Sequence, residues 1–438
     1  MRIKRINNST KMVHIFGLKG RETQVLLLEV IAFTSSMGTT VFGIDIGIGS
    51  ISLFRLFLLF EIFMYLASKI NGPYPSSFTK KGARLIALLG LWLLYVFFSL
   101  LWARDVTGYF RTLFFILIGF TLIFIMMDIC NKQDIEMIMI AFNVGLLLQA
   151  TIGTYEYLTG KYMYISQSTL DFYISRGYRY PIAMMFNPND FSTAMYFASM
   201  ISLYFIFSKD ISMLMKITNG CMFVLYSFLI IMGGSRAVLF GLCLSIFSIF
   251  YLKRKTAGRL MIILGLILIS PWIVQWSTMH IDLSYYQTQG ESFSIRSNLI
   301  RNGVVFLLKT GGMGVGNGQI EYWMRNYAIY PVKTVENMHN FWAEMLTQYG
   351  IIVFLGLLIV YVNMICHFYH QYKKNNGQDG IKSLVIAGAL IGYIISSISS
   401  SSNLSKEYVW FFFAICFVLL NEMGRNLNQD SDYLEFLI

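Results

Sequence analysis

The chain has 438 residues, of which 56% are hydrophobic and only 13% charged, with 37 Phe and 27 Tyr. A soluble protein carries about 25% charged residues, so this composition excludes an ordinary water-soluble globule. The net charge of +11 suits basic cytoplasmic loops facing anionic lipid, and no nucleic-acid partner is expected.

The opening segment, MRIKRINNSTKMVHIFGLKGRETQ, is basic and polar. The apolar run after it, residues 25–42, is too long for a signal-peptide core and lacks a small-residue cleavage site, so it reads as a retained anchor. Further runs follow at 44–67, 85–102, 113–127, 137–154, 191–207, 217–232, 237–251, 260–276, 351–368, 384–398 and 409–420. By the rule of about 20 residues per crossing these predict about twelve transmembrane helices in an all-α integral membrane protein. No linker or composition shift divides the chain, so 1–438 reads as a single polytopic domain. Cys130, Cys221, Cys243, Cys366 and Cys416 lie in or beside apolar runs with no CxxC pair, which argues against a disulfide framework or a zinc site.

Alternate loops divide the basic residues unequally: twenty-one Lys and Arg fall in one set, twelve in the other, and Arg55 lies inside a span. Five of the twelve sit in one long loop. Short loops decide orientation, which predicts a cytoplasmic-membrane protein with both termini in the cytoplasm. Two long outer loops result, 155–190 and 277–340, the second expected to hold short helices. Both are rich in Tyr, Trp and Arg, a poor recipe for disorder, and loops of this length are usually functional. Within the spans Glu29, Arg55 and Glu61 are functional candidates; Arg55 and Glu61 face different directions on one helix and are not expected to pair.

The outer loops carry the candidate chemistry. NPND (187–190) reads as a turn and helix start, with Asn189 or Asp190 capping the span from Phe191. MGGSRAVLFGL places Arg236 at the lip of the membrane, and Arg179 precedes Tyr180 and Pro181 in the first loop. In SIRSNLIRNGVVFLL a helical repeat puts Ile295, Leu299, Gly303, Phe306 and Leu307 on one face. Arg296 falls within that arc, while Arg301 turns outward as a solvated or headgroup-facing residue. An arginine on an apolar face is costly without a partner; it is either a snorkelling anchor or a receptor for an anion such as phosphate. KTGGMGVGNGQ (309–319) meets neither nucleotide-loop pattern and reads as a tight turn whose backbone approaches something closely.

VENMHNFWAEMLTQYGI then places His339 just before a helix, with Asn340 as its cap. Helix N-terminal amides beside arginines suit an anionic ligand, and such a position favours the neutral imidazole that accepts a proton. Glu344, in the first turns, is a supporting or orienting residue. His367 and His370 are spaced i,i+3 without a third ligand, so no metal and no cofactor are expected.

In this order NPNDFS, GGSRAVLFGL, SIRSNLIRNGVVFLLKTGGMGVGNGQ and HNFWAEMLTQYG resemble the O-antigen ligase/polymerase family of bacterial polysaccharide synthesis, over roughly 179–368. The last element resembles the family's pattern of His, a polar residue, nine residues and Gly, here His339, Asn340 and Gly350. Val353 stands where the family often has a small residue or Tyr. The resemblance implies a GT-C-like membrane glycosyltransferase acting on the outer face without metal or nucleotide sugar. Its donor would be an undecaprenyl-pyrophosphate-linked glycan and its acceptor a sugar hydroxyl, with a flippase and a chain-length regulator as candidate partners. Arg296, Arg236 and Arg179 would bind the pyrophosphate and His339 would position or deprotonate the acceptor. The expected activity is polymerisation of repeat units into a capsule, exopolysaccharide, O-antigen or teichuronic-acid-like polymer. The alternatives are a ligase transferring finished glycan to a separate acceptor and a transporter of lipid-linked sugar. A transporter would gather polar groups near the bilayer midplane rather than in outer loops.

Overall fold

The computed structural model describes residues 20–45, 50–71, 78–164, 170–171, 179–209, 211–254, 283–333, 335–375, 378–400 and 402–429. The expected span at 260–276 lies outside them. The chain is an all-α membrane protein. Its helices are α1 Gly20–Thr34, α2 Leu53–Asn71, α3 Lys80–Phe98, α4 Val106–Ile129, α5 Lys132–Thr159, α6 Pro188–Ile206 and α7 Met213–Met232. They continue with α8 Arg236–Lys253, α9 Leu283–Lys309, α10 Ile320–Tyr327, α11 Phe341–Lys374, α12 Gln378–Ser396 and α13 Glu407–Gln429. One small antiparallel hairpin, Gly43–Asp45 with Ser50–Ser52, pairs Gly43 with Ser52 and interrupts the apolar stretch before α2.

Among the described residues seven helices are long and apolar enough to cross a membrane: α3 with its 3-10 extension, α4, α5, α7, α8, α11 and most of α13. The others fall short for visible reasons. Helix α1 has 15 residues, and α2 carries Arg55, Glu61 and Lys69. Helix α6 carries Asn189, Asp190 and four Ser or Thr side chains, and nearly its whole surface is covered by protein. The second long loop, expected as short helices, holds the 27-residue α9 and the eight-residue α10.

Without a hydrophobic driving force between helices in lipid, close packing depends on small residues. Helices α8 and α12 show this: a Cβ at Gly241 would lie 2.6 Å from the Gly392 carbonyl oxygen, and one at Gly392 only 2.2 Å from that of Gly241. Tyr196 of α6 reaches into this seam, its hydroxyl 2.7 Å from Ser245 Oγ.

Ion pairs mark the two ends of the bundle. At one end Lys69 meets Asp128 at 2.6 Å, Lys382 meets Glu136 at 2.8 Å, and Arg21 meets Asp134. All three cations come from the basic-rich loop set. Toward the other end Arg55 donates to Glu407 Oε1 through Nε at 2.9 Å and Nη2 at 2.6 Å. As expected, it does not pair with Glu61. Its guanidinium also lies 5.0 Å from the Phe115 ring centre, and the two paired side chains are 9% and 8% exposed.

A buried pair stripped of one member leaves an uncompensated charge. Glu407→Ala is therefore expected to cost about 3–5 kcal/mol, read as an earlier unfolding midpoint of the detergent-solubilised protein. Arg55→Met combined with Glu407→Leu should recover most of that loss; a double variant as unstable as Glu407→Ala would show that the charge itself is needed.

Candidate functional site

The site is assembled where α11 begins. Asn340 caps the helix as the sequence suggests: its side chain accepts from the N–H of Trp342 at 3.1 Å and of Ala343 at 3.2 Å. His339, one residue earlier, has a backbone φ of 48°, in the left-handed region that non-glycine residues rarely enter. Phe341 N–H donates to the Ser397 carbonyl at 3.2 Å. His339 Nδ1 is buried with no hydrogen-bond partner among the described residues. Burial first, then the Arg296 charge, lowers its pKa from the ordinary value, while Asp190 opposes the shift. The imidazole is thus held toward its neutral, proton-accepting form.

A second constraint sits nine residues past Phe341. At Gly350 the backbone leaves helical geometry, with φ 76° and ψ 178°, which would strand carbonyls of the preceding turn. The glycine-rich loop supplies the missing donors. Val315 N–H donates to the Thr347 carbonyl at 2.9 Å and Gly316 N–H to that of Gln348 at 3.0 Å, while Ile351 N–H donates to Gly312 O at 2.9 Å. A Cβ on Gly350 would stand 2.3 Å from Met313 O, and one on Gly314 only 2.5 Å from Gly350 N. This is the close backbone approach the sequence pointed to. Asn317 and Gln319 fix the loop's far end: Asn317 Nδ2 donates to the Tyr109 carbonyl at 2.9 Å, and Gln319 Oε1 accepts from the N–H of Arg104 and of Asp105 at 2.8 Å.

Arg296 stands on α9, whose apolar face follows the predicted pattern: Leu299, Phe306 and Met338 share a small core with Val315, Ile320, Met324 and Val332. Arg296 is half-buried beside it, and its charge reaches His339. Burial lowers the guanidinium's pKa from its usual value, and arginine stays charged regardless. Arg301 is exposed and lies 5.7 Å from the Tyr330 ring centre, outside this group.

NPND forms the facing wall. Its cap is Asn187, which accepts from Asn189 N–H at 2.8 Å, with Pro188 in the first turn. The expectation of Asn189 or Asp190 as cap is corrected by one turn, because proline suits the first helical position. Asp190 is thereby freed for other contacts. It pairs with Lys406 Nζ at 2.6 Å, accepts from Ser400 Oγ, and its charge reaches His339. Glu156 of α5 positions the approach to this wall, its Oε2 accepting from Ile182 N–H at 2.9 Å and Ala183 N–H at 2.8 Å.

The stretch SSISSSSNLSKE (396–407) joins the walls, and the sequence reading missed it. Ser399 Oγ donates to Asn189 Oδ1 at 2.8 Å and lies 2.6 Å from Ser235 Oγ; Ser402 Oγ donates to Glu344 Oε1 at 3.0 Å. The signal was present as a polar run between two apolar spans, which a membrane protein keeps only where something satisfies it. Through Ser235 the turn also holds the GGSR segment. Arg236 is exposed at the start of α8. Arg179 is exposed beside Gly160 at the end of α5, and the neighbouring Tyr180 ring packs on Gly234. The structure therefore brings His339, Asn340, Arg296, Asp190 and Glu344 together around one turn, with Arg236 and Arg179 on the adjoining rim.

Residues 221–358 match the family model described as O-antigen ligase. Over these residues the chain is similar to that family. It is also 28% identical over 440 residues to the teichuronic acid biosynthesis protein TuaE of Bacillus subtilis (strain 168), covering 94% of this chain and 87% of that one. Both matches support a membrane-bound role in polysaccharide biosynthesis of the ligase or polymerase kind. The matched residues include GGSR, Arg296, the glycine loop, His339 and Gly350; NPND and the serine turn lie outside them.

The Gly350 conformation is one that side chains seldom adopt. Gly350→Ala is expected to cost about 1–3 kcal/mol in strain, before the clash with Met313 O. The readout is a lowered unfolding midpoint of the solubilised protein; an unchanged midpoint would refute the interlocked-backbone account.

Proposed function

We propose that the protein polymerises lipid-pyrophosphate-linked oligosaccharide repeat units into a cell-surface polymer of the teichuronic-acid kind. The reaction is assigned to the outer face of the cytoplasmic membrane, with both termini inside. The observation that carries this reading is His339: an imidazole with an unpartnered nitrogen, kept toward neutrality by burial and Arg296.

In the proposed reaction the acceptor hydroxyl gives its proton to His339 as its oxygen bonds to the donor's anomeric carbon. The bond from that carbon to the diphosphate oxygen breaks, and the electron pair leaves with the lipid diphosphate. Arg296 balances the charge that develops there, helped by Arg236 and, from further along the rim, Arg179. The donor carries its own activation, so holding two membrane-borne substrates in line supplies much of the remaining barrier reduction. The inequality between the two loop sets supports the outward assignment. The description of the matched family favours a ligase; similarity to a teichuronic acid biosynthesis protein across most of the chain favours polymerisation.

Purified protein given a lipid-pyrophosphate-linked repeat unit is expected to yield a ladder of longer glycans, with EDTA present. A single transfer onto a different acceptor would establish the ligase instead, and transport without new glycosidic bonds would remove both. His339→Ala should lower the rate by about 10²–10⁴-fold while leaving membrane insertion intact; ordinary turnover would remove the histidine from the mechanism.

The active imidazole is the neutral one, so rate is lost only as pH falls through its lowered pKa. The acid limb of the rate profile should therefore lie below the ordinary 6.5. Arg296→Gln removes one depressing cause and should move the residual activity's limb upward. Asp190→Asn removes the opposing charge and should move it downward. A limb indifferent to both substitutions would contradict the electrostatic assignment.

A further inference from the structure

Beside the histidine, and separate from the Arg296 wall, lies a second cavity of about 230 Å³. It opens between α4, the start of α10, the first turns of α11 and the serine turn, and Met338, the residue before His339, forms part of its wall. Its polar lining includes Arg111, Thr112, Glu321, Asn337, Glu344 and Ser402. Glu344 is only 8% exposed. Its Oε1 accepts from Ser402 Oγ at 3.0 Å, whereas Oε2 is buried without a hydrogen-bond partner among the described residues. A buried carboxylate oxygen left unmatched is costly. Glu344 itself belongs to the lining of a hollow whose other polar groups are hydroxyls, amides, a guanidinium and a second carboxyl group.

The lining narrows the choice of occupant. A diphosphate is disfavoured, because Glu344 and Glu321 set two carboxylates against the single Arg111 guanidinium. A long acyl or isoprenoid chain is disfavoured by the polar walls; the neighbouring cavity lined by Leu89, Trp92, Phe354 and Phe413 is the apolar one. A sugar ring fits both requirements: each hydroxyl donates to a carboxyl oxygen and accepts from a guanidinium, amide or hydroxyl group. Leu404 borders both cavities, so a sugar here would sit next to a route into the apolar interior.

We propose that this cavity is a sugar-binding subsite that holds the acceptor end of the glycan, with the Glu344 carboxyl group hydrogen-bonded to one of its hydroxyl groups. The assignment to the acceptor rests on the transfer reaction proposed above; the binding of a sugar does not. Glu344 is a binding and positioning residue, five positions beyond the histidine on the same capped helix start. Its Ser402 contact ties the subsite to the turn that also holds Asp190.

The test uses the full-length protein in lipid nanodiscs and three methyl glycosides as probes: a neutral hexose, an N-acetylhexosamine and a hexuronic acid. Saturation-transfer NMR should detect at least one of them, and Glu344→Gln, which replaces a carboxyl oxygen by an amide nitrogen, should weaken that probe roughly tenfold. Thr112→Trp, which fills the cavity, should abolish the signal, and it decides the question should Glu344→Gln fail to fold. In the transfer assay Glu344→Gln should raise the acceptor KM by a larger factor than it lowers kcat. No probe bound by the wild-type protein, or binding indifferent to both substitutions, overturns the subsite. Glycoside binding lost in the variants alongside a wild-type protein that makes no glycan leaves the subsite standing and removes the transferase; a normal ladder from both variants does the reverse.

Discussion

A polar turn buried at the end of an apolar bundle must find a partner for every group it hides, and that requirement organises this molecule. Residues 396–407 place Ser399, Ser400 and Asn403 almost wholly out of solvent. Water is not there to compensate them, so their bonds run to whatever surrounds them: Asn189, Asp190 and Ser235 on other helices, and the Ser397 carbonyl within the turn. At its end Lys406 and Glu407, adjacent in the chain, reach Asp190 and Arg55. One short segment thus fixes the mutual placement of α2, α6, α8, α11 and α13. The position of His339 follows from this, because its helix starts against the Ser397 carbonyl.

The break at Gly350 is the second device. A helix running straight through would carry its hydrogen-bonding ladder unbroken from Phe341 to Lys374. Interrupting it allows the half-helix bearing His339 and Glu344 to take its own direction, and the glycine loop restores the lost bonds with its backbone. Irregular backbone at this depth is tolerated when protein satisfies it. The spacing between histidine and glycine is therefore a length: it measures the half-helix that carries the site.

Much of this was legible in the chain. Hydropathy located most of the helices, since an apolar run in lipid has little choice but to become helical, but not their ends: the run at 44–67 meets a helix of Leu53–Asn71, and that at 351–368 a helix of Phe341–Lys374. The 3.6-residue repeat of 295–307 placed Arg296 within an apolar face, and the polar residue after His339 announced a cap. The nucleotide-loop reading of the glycine cluster failed on its spacing, and the structure gives those glycines a structural task. What stayed hidden depends on separation along the chain. The Arg55–Glu407 bond joins residues 352 positions apart, and Asp190 meets Ser400 across 210. No local pattern encodes such pairings. The cap of α6 was misread by a turn because NPND offers three residues able to cap, and proline decides among them only once the preceding backbone is known. The serine turn was overlooked because serine reads as solvated loop unless its burial is known.

Helix α6 has a consequence for how the protein is made. Fifteen of its nineteen residues are buried, among them Asp190, Ser192, Thr193, Ser199 and Ser202. Such a segment shows little of itself to lipid and is a reluctant entrant when it leaves the ribosome alone. Its natural escort is α7, which follows after a short connection and packs along it with an outward apolar face. In the folded protein the pair packs against α5, and α12 and α13 complete the enclosure of α6. The wall that faces His339 includes the contacts of Asp190 with Ser400 and Lys406, so a nascent chain that stops before them would lack a complete site.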